Sequence, residues 1–551
     1  MWLRTCALIF VVGCAQPSKV DIPSAIAAHA VDTAASANPA LRAPLSPSLA
    51  KKAEQFDRFF QGRLPPEELE ILKTECKTAP SENPFCQSFS RLAVLEKRLK
   101  KKTHLAAPTK PPQERPAKPA SIVLKKGRIA NASGLRKTAV PSLLKGLAGF
   151  SVDELKALVE PVQKMKGCPN NLAAALAATL EDHLPSSVGP GEIAGLYEEA
   201  ADCLRHTEDF EHYLTRAGLL YFAKKDFAAA AGAFKRATRS NTQPARAFYW
   251  LYRSEKALGH EELAKAALTR LDQNFPLSFH ALVAKSENNE DPALHWLGTE
   301  SRTVLNTRSK RVTLVNPMIE QAEILASSHF DDSAAFMADW ALDEGPRAEL
   351  SVRLYMAALA DGKTRIVYAN DVVALKPKQI DRFVLELYFP SVFGSVFEKN
   401  SGSVDPWILM SVARQESIFD PRAISQANAQ GLMQINPETA ARLADGKPFD
   451  LFNPEDNVRI GARYLAELLK RFDGKIHWVL AAYNAGEEKL GEWKRRYPVE
   501  EPLLFVDLIS YRETRNYVAT VLRNYFWYRR LNGAGQTEFA KALVTPDVAR
   551  K

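Results

Sequence analysis

The sequence predicts a mainly α-helical chain: a helical solenoid built from stacked helix pairs, followed by a second compact helical region near the C-terminus. Two observations carry this. From about residue 130 to 400, Ala-rich amphipathic segments recur between Gly, Pro or Asn breaks, the spacing of helices joined by short turns. From Asp405 a capped helix with a strong apolar stripe begins, and further helical segments follow it. At 551 residues the chain is too long for one core and divides into two or three domains. Its 46% hydrophobic and 25% charged residues are those of an ordinary globular protein.

The N-terminus reads as an export signal. Arg4 supplies a positive charge, and an apolar stretch from Cys6 to Val12 follows, too short to span a bilayer. Val11-Val12-Gly13-Cys14 resembles a bacterial lipobox. That resemblance implies removal of residues 1–13 and lipidation of Cys14, in the periplasm with an outer-membrane anchor; the alternative is an ordinary cleaved signal. Residues 15–50 are rich in Ala, Pro and Ser and read as a disordered tether. The net charge of +9 favours an anionic partner, but export disfavours nucleic acid. Much of the excess sits between Lys97 and Lys126, in a segment of solvated-linker composition.

Residues 51–129 read as short helices (Lys51–Gly62, Glu67–Lys77, Phe89–Lys102) and a Pro/Lys-rich linker over Thr103–Pro119. Of six cysteines, setting aside Cys6 and Cys14 leaves Cys76, Cys86, Cys168 and Cys203. In an oxidising compartment these form up to two disulfides with three possible connectivities; Cys76–Cys86 and Cys168–Cys203 close the shortest loops. No CxxC, HExxH, GxSxG or phosphate-binding glycine loop occurs, so neither metal nor organic cofactor is expected.

In the helical region the expected segments are Val152–Lys166, Asn171–Asp182, Gly191–Arg205, Tyr213–Ala223, Phe227–Ser240, Ala245–Leu258 and Glu261–Asn274. Around Ala217-Gly218-Leu219 and Phe227 to Phe234, small residues alternate with aromatics, so neighbouring helices can approach closely. This resembles tetratricopeptide-type helix pairs; a plain packed bundle is the alternative. The aromatic run Phe248-Tyr249-Trp250, the Gly259 turn and the Phe275-Pro276 turn are similar to the helix pair leading to the catalytic domain in large soluble lytic transglycosylases.

Asp405-Pro406 opens a helix with a capping carboxylate and a proline where no donor is needed. Leu409, Val412, Ala413 and Glu416 follow at i, i+3, i+4 and i+7, which puts Glu416 on the apolar stripe. A carboxylate there is costly to ionise, as a general acid requires. Then come Phe419-Asp420-Pro421, Ser425, Gly431-Leu432-Met433-Gln434-Ile435-Asn436-Pro437, Asn453-Pro454, Ala482-Tyr483-Asn484-Ala485-Gly486 and Glu513-Thr514-Arg515-Asn516-Tyr517. Their order and spacing resemble the lytic transglycosylases of glycoside hydrolase family 23, of the goose-lysozyme superfamily and the large soluble type.

The resemblance implies a lysozyme-like α (α+β) catalytic domain over 401–531, after a superhelical region over 130–400 and before a tail over 532–551. It implies Glu416 as the only catalytic carboxylate. Ser425, Gln434, Asn436, Tyr483, Asn484, Glu513 and Tyr517 are implied to line the glycan groove. Two positions depart from the family pattern. Asn428-Ala429 stands where many relatives have Gly-Ala, and Asn tolerates positive φ. Asn436 stands where some relatives have Met, which alters one groove contact. The implied reaction cleaves the N-acetylmuramic acid–β-1,4–N-acetylglucosamine bond of peptidoglycan strands with formation of a 1,6-anhydro ring. A hydrolytic muramidase and a non-catalytic glycan-binding scaffold are the alternatives. Other cell-wall enzymes are possible partners of the helical region.

Overall fold

The computed structural model describes residues 46–60, 63–78, 84–86, 88, 122–125, 128–130, 135, 138–165, 170–184, 188–204, 209–240, 244–297, 317–328, 330, 333–334, 337, 362–375 and 377–533. Cys14, the tether up to residue 45, the 89–119 segment and Cys168 lie outside these. The chain forms two compact units, one of residues 1–112, 293–466 and 527–534, the other of 113–292, 467–526 and 535–551. Both are mainly helical. Among the described residues, strand structure is one two-stranded antiparallel ladder, β1 (Leu124–Lys125) with β2 (Arg128–Ile129), pairing Leu124 with Ile129. No helix among them is long and apolar enough to cross a membrane.

In the first unit, α1 (Pro47–Phe60) and α2 (Pro66–Thr78) match the expected short helices. Cys76 and Cys86 form a disulfide with Cα atoms 5.0 Å apart, one of the two short-loop pairings expected. Cys203, in the other unit, is also disulfide-bonded.

The second unit stacks helices in chain order. After α3 (Val140–Leu147) come α4 (Val152–Gln163), α5 (Asn170–Asp182), α6 (Pro190–Asp202), α7 (Asp209–Ala223), α8 (Phe227–Ala237), α9 (Ala245–Ala257), α10 (Glu261–Asn274) and α11 (Phe279–Glu287). From α5 to α10 each helix packs on the next. The boundaries follow local chemistry. Ser151 and Glu154 form a reciprocal capping box on α4, whose Leu155, Leu158 and Val162 are buried. Asp226 caps α8 through the Ala229 N–H at 3.2 Å, and Ser278 caps α11 through the Ala281 N–H at 3.2 Å. Gly259, at φ 76°, makes the turn between α9 and α10. The small-and-aromatic alternation has a direct cause. A Cβ on Gly218 of α7 would stand 2.6 Å from the ring of Phe234 on α8, so the glycine sets the distance between the two helices.

The same unit contains α20 (Ile476–Ala485), α21 (Glu487–Arg496) and α22 (Pro502–Leu508), numbered in chain order after the helices of the first unit given below. A buried polar knot joins this segment to the stack. Arg216 of α7, only 3% exposed, pairs with Glu181 of α5 at 2.6 Å and donates to the Tyr497 hydroxyl at 2.7 Å and the Leu508 carbonyl at 2.6 Å. Asp507, fully buried, accepts from Arg246 (2.7 Å) and the Trp250 indole (2.7 Å) and bonds the His280 ring (2.8 Å). Burial alone would raise the Asp507 carboxyl, but Arg246, His280 and Trp250 outweigh it and hold the group well below the ordinary range. A desolvated charge with every partner in place adds little net stability, yet loss of one partner is costly. The knot therefore fixes geometry.

The first unit continues with α12 (Leu294–Leu297), α13 (Pro317–Ser327), α14 (Gly362–Leu375), α15 (Arg382–Tyr388), α16 (Gly394–Asn400), α17 (Pro406–Ser417), α18 (Pro437–Leu443) and most of α19 (Pro454–Arg471). The last helix among the described residues, α23 (Arg512–Leu531), begins in the second unit and ends in the first. Buried Arg414 of α17 lies 4.5 Å from the ring centroids of both Tyr388 and Phe389 and donates to the Tyr388 carbonyl. Phe389 in turn packs on Trp527 and Tyr528 of α23.

Two predictions follow from this packing. Gly218→Ala forces a methyl group into the fully buried Phe234 ring and costs about 1–3 kcal/mol, read as a lower thermal midpoint. The second concerns His477 on α20. Burial pushes its ring down to about 3, and the Lys475 and Lys494 cations add to the effect. An unfolded histidine titrates near ~6.5. As pH falls from there toward 3, the unfolded chain takes a proton the folded one refuses, so stability declines. The thermal midpoint is expected to drop between about pH 7 and 5, and His477→Gln to flatten that slope.

Candidate active site

Glu416 sits one residue before the C-terminus of α17, which Asp405 caps through the Trp407 N–H at 2.9 Å. Leu409, Val412 and Ala413 on its stripe are fully buried, and Glu416 at the stripe's end is half-buried. The helix ends abruptly. Ile418 and Phe419 both adopt left-handed backbone, at φ 54° and 62°. A β-branched residue is a steric outlier there, and such strain persists only where surrounding contacts over-determine it. Here those are the Ile418 N–H to Arg414 carbonyl bond at 3.2 Å and burial of the Phe419 ring.

The next residue pattern folds into a tight loop against that helix end. The Ser417 hydroxyl donates to the Leu432 carbonyl at 2.8 Å, fastening the neighbour of Glu416 to the Gly431–Asn436 segment. Gln430 and Ile435 exchange two backbone hydrogen bonds of 3.0 Å. Asn428 adopts φ 61°, so the departure from glycine near this turn is accommodated as expected. Gln434 is also left-handed, and its amide nitrogen donates to the carbonyls of Ala423 (3.0 Å) and Gly431 (2.9 Å). The Ser425 hydroxyl accepts from the Ala429 N–H at 3.0 Å. Asn436, exposed, caps α18 by accepting from the Glu438 N–H at 3.0 Å. Each of these three expected groove residues thus has a structural bond of its own.

Sequence reasoning missed the residue on which this loop hangs. Asn457 of α19 is fully buried. Its side chain donates to the carbonyls of Gln430 (2.9 Å) and Leu451 (2.8 Å) and accepts from the Met433 N–H (2.8 Å). Gly431, at φ 74°, leaves room for this, because a Cβ there would lie 2.0 Å from the Leu451 carbonyl oxygen and 2.2 Å from the Asn457 amide. The sequence carried no clear signal for it, since an asparagine in the first turn of a helix, as Asn457 is in α19, is ordinary.

The remaining expected residues belong to the second unit. Tyr483 and Asn484 are half-buried on the last turn of α20, which stops at Gly486 with φ 86°. Glu513 is exposed in the first turn of α23, and Tyr517, one turn on, is buried. Arg515 between them is structural. It donates to the Ile509 carbonyl at 2.8 Å and meets the His212 ring at 3.3 Å. Burial, with the Arg246 and Arg216 charges nearby, pulls its guanidinium down to about 9. Among the described residues no cluster of His, Cys, Asp or Glu has the makings of a metal site.

Replacement of Asn457 by Leu removes three hydrogen bonds and orphans the Met433 N–H and the Leu451 carbonyl, while the Gln430 carbonyl keeps the Ile435 N–H, at about 1–3 kcal/mol for each orphaned group. The expected result is a lower unfolding midpoint, with new protease cleavage between residues 423 and 436.

Comparisons with known proteins give consistent likenesses. Residues 396–503 match the sequence profile of the Transglycosylase SLT domain. A putative soluble lytic murein transglycosylase of Haemophilus influenzae is 36% identical over 156 residues, 27% of this chain and 26% of that protein. The soluble lytic murein transglycosylase of Escherichia coli is 35% identical over 159 residues, 27% of this chain and 25% of that protein. The chain thus spans about a quarter of the length of these curated relatives. The crystal structure of the 70 kDa soluble lytic transglycosylase from Escherichia coli superposes with a TM-score of 0.54 at 20% identity, covering 76% of this chain and 68% of that one. Residues 396–503 are therefore similar to the Transglycosylase SLT domain, within a mainly helical chain whose fold resembles that of the 70 kDa soluble lytic transglycosylase.

Proposed function

We propose that the chain is a peptidoglycan lytic transglycosylase with Glu416 as its single acid/base. The observation that carries this reading is the position of Glu416. It is a half-buried carboxyl at the end of a fully apolar stripe, followed by a strained left-handed corner, within the segment matching the SLT domain. The names of the relatives, lytic murein transglycosylases, point to the same polymer.

In this mechanism protonated Glu416 donates to the glycosidic oxygen between N-acetylmuramic acid and N-acetylglucosamine, and the C1–O bond breaks. Positive charge at C1 is met by the substrate's N-acetyl oxygen and by fixed dipoles of the site, for which Ser425, Gln434, Asn436, Tyr483, Asn484, Glu513 and Tyr517 are the candidates. The resulting carboxylate takes the proton of the C6 hydroxyl as that oxygen bonds to C1, which closes the 1,6-anhydro ring and restores the acid. The nucleophile belongs to the substrate itself, so a second carboxylate to activate water is unnecessary. The domain limits 401–531 belong to this proposal. So do an exported, periplasmic location and a lipid anchor at Cys14, which rest on the N-terminal sequence.

Glu416→Gln keeps the side chain's size but cannot cycle a proton. Release of anhydro-muropeptides from purified sacculi is expected to fall by about 10²–10⁴-fold, with an unchanged circular dichroism spectrum. Retention of wild-type release by that variant contradicts the assignment.

A further inference from the structure

The second unit contains a cavity of about 860 Å³ that the proposed reaction does not use. It lies among the end of α7, the start of α8, α9, the end of α11 and the loop leading into α22, with Phe222, Phe227 and Leu504 as its apolar lining. Its charged groups fall into two classes. Arg253 is already satisfied, bonding Glu287 and Glu501 at 2.9 Å each, as well as the Tyr249 hydroxyl at 2.7 Å. Lys256 holds the Tyr252 hydroxyl at 3.0 Å. Lys225 and Glu500 differ. Both line the cavity and both are exposed, and neither makes an ion pair among the described residues, with each other or with a third group. Lys225 is also fixed in left-handed backbone at φ 64°, where it ends α7 through its N–H to the Phe222 carbonyl at 2.8 Å. The cavity thus offers one cation and one carboxylate that are not ion-paired among the described residues, over an apolar lining.

That pattern complements a small ligand with an ammonium at one point and a carboxylate at another. We propose that this cavity binds a short zwitterionic peptide, the stem peptide of the wall substrate, with its carboxylate toward Lys225 and its ammonium toward Glu500. The identity of the peptide rests on the lytic transglycosylase reading; the charge pattern does not.

The test is isothermal titration calorimetry of the full chain with synthetic L-alanyl-γ-D-glutamyl-meso-diaminopimelic acid. Saturable binding is expected, about tenfold weaker for the same peptide with its amines acetylated and carboxyls amidated. Lys225→Glu and Glu500→Lys are each expected to weaken binding by about tenfold, with wild-type unfolding midpoints and wild-type turnover of peptide-free glycan strands. Glu416→Gln is expected to bind the peptide as wild type does. No binding, equal binding of the blocked peptide, or unaltered binding by both charge-reversed variants overturns the proposal. Equally tight binding of triglycine overturns the stem peptide as occupant. If binding fails while Glu416-dependent turnover persists, this inference falls alone. If binding persists while Glu416→Gln stays active, the catalytic reading falls alone.

Discussion

One buried carboxamide holds the candidate catalytic corner in place. Asn457 is the partner of the Leu451 carbonyl and the Met433 N–H, and it adds a second bond to the Gln430 carbonyl, which already accepts from the Ile435 N–H. Buried backbone groups must find partners, and here a single side chain from α19 supplies three. The loop then offers the Leu432 carbonyl to Ser417, whose neighbour is Glu416. Position is therefore passed from the first turn of α19, through a glycine-dependent turn, to the end of the helix that carries the carboxyl. The left-handed Ile418 and Phe419 sit where this chain of contacts is tightest, and backbone strain is tolerated only in such places.

The second unit solves a similar problem with charge. Arg216 and Asp507 are buried centres whose partners come from several helices of the stack and from the 497–509 segment. Apolar packing of equal volume could match the stability. Directional bonds add a fixed register for the segment that leads into α23, where Glu513 and Tyr517 reside. The depressed Asp507 carboxyl is the electrostatic sign of that arrangement, since its ionised form is the one every partner favours.

Much of the fold was legible because it is written in local chemistry. Helices from Val152 to Asn274 fall within a few residues of the expected limits, since capping residues, glycine turns and apolar spacing act over a few positions. Asp405-Pro406 opens α17 as read, Gly218 faces Phe234 as the small-and-aromatic pattern implied, and Asn428 takes the positive φ assigned to it. The illegible part is long-range. Arg216 meets Tyr497 across 281 residues of chain, and Trp250 meets Asp507 across 257; no spacing rule reaches that far. Asn436, expected to line the groove, also bonds the first turn of α18, a use open to any asparagine before a helix. The charges of Lys225 and Glu500 also gave no signal in the sequence, because their meaning lies in what they fail to pair with.

The central claim is that one carboxyl suffices because the attacking oxygen belongs to the substrate. Digestion of purified sacculi in water enriched with heavy oxygen tests it most directly. The account predicts muramyl ends free of solvent oxygen, since C1 receives the sugar's own C6 oxygen. Incorporation of heavy oxygen at C1 of the released ends would show that water is the nucleophile and would contradict it.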